Sequence, residues 1–185
     1  MLAGQKSRSQ EPSLDVFSLK DSLIYYERIV TRDSATKHDL YLLSKTWITK
    51  NFTNTKSGST IDDASAGLLS YTSSIRVPFD APKVMGTKVE VFWEYNFTMT
   101  IYIKDSKTKI VIDNLRHTAS SDPNYLLHFR AINKKYLNNK MFGKGYEEKY
   151  MESARKNFQS TNEEILLLLD SFTKFISYTK NGFDF

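Results

Sequence analysis

Three histidines, His38, His117 and His128, are the first side chains to test for chemistry, and no spacing joins them. A metal centre needs ligands that converge, and neither HExxH nor His-x-His occurs. The chain has no cysteine, which excludes disulfides, thiolate metal sites and a cysteine nucleophile. Asp62-Asp63 is the candidate carboxylate pair for general acid/base or cation chemistry. It lacks the Asp-x-Asp-x-Asp-Gly spacing of a calcium loop, and two aspartates just ahead of Gly67 read more plainly as a solvated turn. Serines are plentiful without a Gly-x-Ser-x-Gly elbow, and neither Gly-x-x-x-x-Gly-Lys nor Gly-x-Gly-x-x-Gly is present. Gly143-Lys144-Gly145 is too short to cradle a phosphate and reads as a turn ahead of a helix. Asn51-Phe52-Thr53 and Asn96-Phe97-Thr98 match the glycosylation triplet, and the second lies within a long alternating stretch. These patterns assign no catalytic residue, no cofactor-binding residue and no metal ligand.

The remaining side chains with chemical use are aromatic. From Val89 to Lys104 every odd position is apolar, while Glu90, Phe92, Glu94, Asn96, Thr98, Thr100, Tyr102 and Lys104 stand between. Such alternation describes a strand with one buried face. On the other face Phe92 and Tyr102, with Glu94 between them, form a candidate interaction face, because exposed aromatics on a sheet stack on sugars, bases or a partner protein. The plainer alternative is that the leader or the 117–145 loop covers them and that they serve cross-strand pairing.

Several elements must position that strand. Leu23–Val30 is rich in β-branched and aromatic residues on both faces, which predicts a strand inside a sheet. Thr36 to Asp39 has capping-box spacing. After it Leu40, Tyr41, Leu43, Trp47, Ile48 and Phe52 gather on one side of a helical wheel, predicting an amphipathic helix over 36–52 anchored by Trp47. A loop around Gly58 follows, and Ile61-Asp62-Asp63 reads as a short strand end. Leu69, Tyr71, Ser73, Ile75 and Val77 alternate as a second strand, and Pro78 with Pro82 brackets a turn. A strand over 89–104 extends about 50 Å, so a bend or bulge is expected within it. Asp105 to Thr108 turns the chain into a partner strand, Lys109–Arg116. Residues 117–145 have no clean period, although a short helix over 125–136 fits. A second capping box at Thr161 and the stripe Ile165, Leu168, Leu169, Phe172, Phe175 and Ile176 give a helix over about 147–179, with a break near 159–161, stopped by Gly182. The order is α+β: an antiparallel sheet, helices on one face and a long C-terminal helix. The expected organisation is a leader over 1–20, one domain over 21–185, a variable loop over 117–145 and a helical segment over 146–180.

Composition agrees with a folded domain. The chain has 185 residues, 14% of them aromatic, with only four prolines and seven glycines. A chain of that length buries enough surface for a core without staples. The net charge of +5 is spread over 26 basic and 21 acidic residues without a run of five like charges, so it gives no clear nucleic-acid signal. The longest apolar run, Ile165–Leu169, is far short of a transmembrane segment, and residues 1–10 contain no apolar signal-peptide core.

Particular residues resemble a known family. Leu40-Tyr41 followed by Lys45, Trp47-Ile48 and Phe52, then Ile61-Asp62-Asp63 leading to Gly67, then the hairpin Phe97–Asp105 with its return Ile110–Arg116, are similar to the domain of unknown function 4468 of Bacteroides-type bacteria, which has a TATA-binding-protein-like fold. The resemblance spans roughly residues 22–118. It implies a curved antiparallel sheet with helices packed on one face, and export to the periplasm or cell envelope. It carries over no catalytic or binding residues, and a fold name does not license DNA binding. Two functional readings stand. One is a non-enzymatic binding module whose sheet face takes a protein or glycan. The other is an enzyme or small-ligand protein with a site built from dispersed residues such as Asp62, Asp63 and His117.

Overall fold

A computed structural model of the chain describes residues 16–21, 23–52, 59–80, 90–119 and 146–179. A short ribbon opens it, with β1 (Leu19–Lys20) antiparallel to β2 (Leu23–Ile24). Just before the ribbon Phe17 is buried, its ring 5.8 Å from that of Phe158. β3 (Tyr26–Thr31) follows. Next comes α1 (Lys37–Asn51), whose start is fixed by the expected capping box. The Asp39 amide donates to Thr36 Oγ1 at 3.1 Å, and the Thr36 amide donates to the Asp39 carboxylate at 3.0 Å. These bonds satisfy two backbone donors that the helix itself leaves orphaned. The Thr36 hydroxyl foremost, which donates to the Asp39 carboxylate at 2.6 Å, and the Thr36 amide next hold the Asp39 pKa below its usual range.

β4 (Ser59–Asp63) leads through a tight turn to β5 (Leu68–Asp80). Gly67 closes that turn at φ 68, where an added Cβ would stand 2.4 Å from the Ile103 carbonyl oxygen, so this position needs glycine. β6 (Glu90–Lys104) is the long alternating strand, and β7 (Lys107–His117) returns after a two-residue connection in which Ser106 takes φ 61. The sheet order is β3-β7-β6-β5-β4, antiparallel throughout. The chain then forms α2 (Tyr146–Tyr178), a helix of 33 residues. At 1.5 Å per residue it is about 50 Å long, the same length as a 15-residue strand, so one helix can follow β6 from end to end.

Both helices lie on one face. Trp93, Tyr95, Phe97, Met99, Ile101 and Ile103 of β6 are buried in one cluster with Leu40, Trp47 and Ile48 of α1 and with Met151, Ala154, Phe158, Ile165, Leu169, Phe172 and Ile176 of α2. Trp47 sits at the junction: its ring is 5.1 Å from Phe172 and 5.8 Å from Phe52, and its indole N–H donates to Ser171 Oγ at 3.2 Å. The α+β architecture expected from the alternating pattern is what forms.

Four local expectations are corrected. The 23–30 strand was expected inside the sheet, but β3 is its edge; one of its apolar faces stays open, with Ile29 60% exposed. Pro78 lies within β5, opposite Phe92, rather than in a turn. β4 pairs only with Leu68–Tyr71, so β5 is an edge where Pro78 stands, and an edge strand tolerates a missing N–H. Pro82 is outside the described residues, as are the 125–136 segment and Gly182. The irregularity expected inside β6 falls on its partner: the pairing shifts between Asn96↔Arg116 and Thr98↔Asp113, leaving an extra residue in β7, where Asn114 takes φ 55. Finally, α2 has no break near 159–161. Thr161 occupies a position on the buried stripe and bonds the Asn157 carbonyl one turn back at 2.8 Å, so its hydroxyl is satisfied inside the helix instead of capping one.

Candidate interaction face

With α1 and α2 on one side, the register defines what the other side presents. Ile29, Lys109, Tyr102 and Leu68 lie in one cross-strand row, and Glu27, Val111, Thr100, Ser70 and Ile61 in the next. Asp113, Thr98 and Thr72 form a third row, followed by Arg116, Asn96 and Ser74, then by Glu94 with Arg76, then by Phe92 with Pro78. The centre of this face is therefore hydroxyl and amide, with large side chains towards both ends.

The structure places all three sequence-derived residues on it. Phe92 is 50% exposed and Tyr102 is 46% exposed. A cation lies over each ring: the Arg76 guanidinium is 5.1 Å from the Phe92 centroid, and Lys109 Nζ is 4.9 Å from that of Tyr102. Such contacts hold an exposed ring in place at modest gain. Glu94 stands opposite Arg76 and accepts from Ser74 Oγ at 2.8 Å, a diagonal bond that holds its carboxylate towards β5.

The sheet adds residues that no single strand could reveal. Tyr25 joins from the approach to β3, donating its hydroxyl to Glu27 at 2.8 Å beneath Lys20 Nζ, which is 4.7 Å from its ring centroid. The Glu27 hydrogen bond foremost, and burial next, push its pKa up to about 12. Asp113 is partly buried, which raises its pKa above the usual carboxylate value. Extending the β6–β7 hairpin register towards β3 would have brought Lys109, Val111 and Asp113 to this face from sequence. Tyr25 needs the β3–β7 pairing, which is long-range and leaves no local signal.

The dispersed alternative does not converge. Asp62 turns towards α1, accepting from the Tyr41 hydroxyl and from Lys45 Nζ at 2.8 Å. Asp63 accepts from Ser65 Oγ at 2.7 Å and from the Ala66 amide at 2.8 Å. It thereby organises the turn, and the Ala66 amide foremost lowers its pKa. His117 pairs with Tyr95, whereas Asp62 lies in line with Leu69 and Ile101; those β6 positions are about 20 Å apart along the strand. His117 receives the Ala119 amide at Nδ1 and stands edge-on to Trp93 and Tyr95, and burial depresses its pKa. Among the described residues no group of three His, Cys, Asp or Glu side chains could hold a metal, and no helix is long and apolar enough to cross a membrane.

Residues 26–118 match the family model described as "Domain of unknown function (DUF4468) with TBP-like fold". Two crystal structures are similar over nearly the whole chain. One, a DUF4468 family protein from Bacteroides ovatus, has a TM-score of 0.58 at 12% identity, over 91% of this chain and 94% of that one. The other, a TBP-like protein from Parabacteroides distasonis, has a TM-score of 0.51 at 12% identity, over 85% and 97% respectively. At such identity the likeness speaks for the fold alone. No curated protein matches the chain.

Proposed function

The chain belongs to the DUF4468 family with its TBP-like fold, and from that premise we propose that it is a non-enzymatic binding module of the bacterial cell envelope that holds a protein or glycan on its open sheet face. The observation that carries this reading is the asymmetry of the sheet. Two helices bury one face, while the other keeps Phe92 and Tyr102 about half exposed on the strand whose neighbouring positions, Val91, Trp93, Ile101 and Ile103, are buried or partly buried. Large apolar side chains left exposed towards both ends of one sheet face offer two contact points for a partner. The rings are held by cations and Glu94 by Ser74, so a partner meets side chains that are already oriented. The acidic and histidine residues that an enzyme would need are engaged in turn and helix contacts or lie far apart. Export is supported by the family resemblance.

Photo-cross-linking in bacteria that carry the family tests the reading. A benzophenone amino acid at position 92 or 102 is expected to give a discrete adduct in the envelope fraction, and one at Glu152 on the outer side of α2 is not. Equal labelling from all three positions, or adducts only in the cytosolic fraction, would remove the proposal.

A further inference from the structure

The two edges of the sheet are finished differently. On one side β4 is short and irregular, with a register shift between Ser59 and Ile61, and β5 carries Pro78 beyond it. Short strands, bulges and prolines are ways of protecting an edge from further pairing. On the other side β3 contains no proline, no lysine and no register shift. The direction of its backbone groups follows from one bond. The Arg32 amide donates to the Ser106 carbonyl at 2.9 Å, and Arg32 falls opposite Ser106 when the pairing Thr31↔Lys107 is continued. Bonded and non-bonded pairs alternate in an antiparallel ladder. Val30, Arg28 and Tyr26 therefore turn their amides and carbonyls towards β7, and Glu27, Ile29 and Thr31 turn theirs outwards. Tyr25, of the same parity, donates outwards to the Ser18 carbonyl at 2.9 Å. The pairing with β1 stops there, and among the described residues no backbone group bonds the outward amides of Glu27, Ile29 and Thr31.

Two apolar side chains border this open edge. Ile29 is 60% exposed. Leu166 on α2 is 38% exposed. It stands one turn after Asn162, which accepts from the Tyr26 hydroxyl, and one turn before Asp170, which pairs with Arg28 at 2.8 Å. Residues four apart share a helix face, so Leu166 lies on the flank of α2 that runs beside β3. An extended peptide would fill the edge and leave Leu166 bare, whereas a second copy of the chain brings its own helix layer against that flank. The edge is also complementary to itself. Around a two-fold axis at Ile29, Ile29 faces Ile29, Glu27 faces Thr31 and Arg28 faces Val30, so no like charges stand opposite. All three outward residues then fall in bonded pairs, and each Arg28 keeps its Asp170. An axis at Arg28 would set arginine against arginine, and one at Val30 would carry Glu27 past the end of the strand.

We propose that two copies of the chain pair antiparallel through β3, with Ile29 at the two-fold axis, and join their five-stranded sheets into one continuous sheet. The contact uses the outward backbone of β3 with the Ile29 and Leu166 side chains. It goes beyond partner binding around Phe92 and does not depend on it.

Sedimentation velocity of the full chain over about 1–200 μM should show monomer–dimer exchange, as suits an interface built on one strand pair. Because the chain has no cysteine, introduced thiols report the register directly. Opposed residues of a bonded pair have Cα atoms about 5.5 Å apart, within disulfide reach. Ile29→Cys should therefore oxidise to a covalent dimer, and a mixture of Glu27→Cys and Thr31→Cys chains to a mixed disulfide. Ile61→Cys, on β4 at the far edge of the sheet, should cross-link far more slowly. Ile29→Lys sets like charges face to face at a surface position. It should raise the dimer dissociation constant about tenfold with circular dichroism unchanged. Phe92→Ser should leave that constant as it is. A monomer throughout the concentration range, a dimer indifferent to Ile29→Lys, failure of the mixed disulfide, or equal cross-linking from Ile61→Cys would overturn the proposal.

Discussion

Asn157 shows how much one buried polar side chain can specify. It lies on α2 in full contact with the core, accepts from the Tyr95 hydroxyl, and donates to the Pro78 carbonyl at 2.8 Å. It therefore ties the helix both to the central strand and to β5 at its proline. Asn157→Ala removes the hydrogen-bond partner that Asn157 gives to Tyr95 Oη and to the Pro78 carbonyl, and urea denaturation should show a loss of about 2–4 kcal/mol. Combining Tyr95→Phe with Asn157→Ala should cost less than the sum of the single changes, because the two share a bond. His117 offers a second residue-scale test. Burial against Trp93 and Tyr95 depresses its folded pKa below 6.5. On lowering the pH the unfolded chain takes up the proton first, so the contribution of neutral His117 is complete above 6.5. It declines as the pH falls from 6.5 to the folded pKa, and below that no further loss arises from this residue. The melting temperature should fall over that interval, and His117→Gln should flatten the profile there; an unchanged slope in the variant would assign the dependence to other groups.

At the scale of elements, the sequence was legible wherever a signal is local. Thr36 and Asp39 mark the start of α1 because a cap is built from residues three apart, and both reciprocal bonds form. Thr36→Ala should lower stability by about 1 kcal/mol in thermal denaturation, with Thr36→Ser close to the parent. A loss as large as that of a core truncation would mean that Thr36 has a role beyond the cap. The alternation through β6 was equally legible, since a period of two over 15 residues has one geometric meaning. What failed to show in sequence was decided by pairing. The apolar outer face of β3 imitates an interior strand, and only the structure reveals that β3 is an edge strand with Ile29 left outside. Asn114 gives no sign of a bulge until β7 is laid against β6. Thr161 reads as a cap from composition, but the stripe Ala154, Phe158, Ile165 and Leu169 passes through its position, and the helix continues because burying that stripe outweighs a local cap. For the candidate face, β6 alone supplied Phe92, Glu94 and Tyr102, and the contributions from β3 and β7 waited on register.

At the scale of the whole molecule, the two faces of one strand make opposed predictions. Phe97 and Phe92 are both phenylalanines on β6, five residues apart and of opposite parity. Phe97 is buried in the layer beneath α1, 6.4 Å from the Phe52 ring, whereas Phe92 stands half in water under Arg76. Phe97→Ser removes a core ring and buries a hydroxyl, a loss of about 4 kcal/mol or more. Phe92→Ser loses a surface cation–π contact, which is worth under about 1 kcal/mol. Equilibrium denaturation of the two variants therefore measures the asymmetry on which the binding proposal rests. If Phe92→Ser proves as costly as Phe97→Ser, the second face is core in solution and has no room for a partner. If Phe92→Ser keeps the fold but loses the envelope adduct when the benzophenone is at position 102, then the ring is there for something other than stability, and the open side of the sheet is where the partner sits.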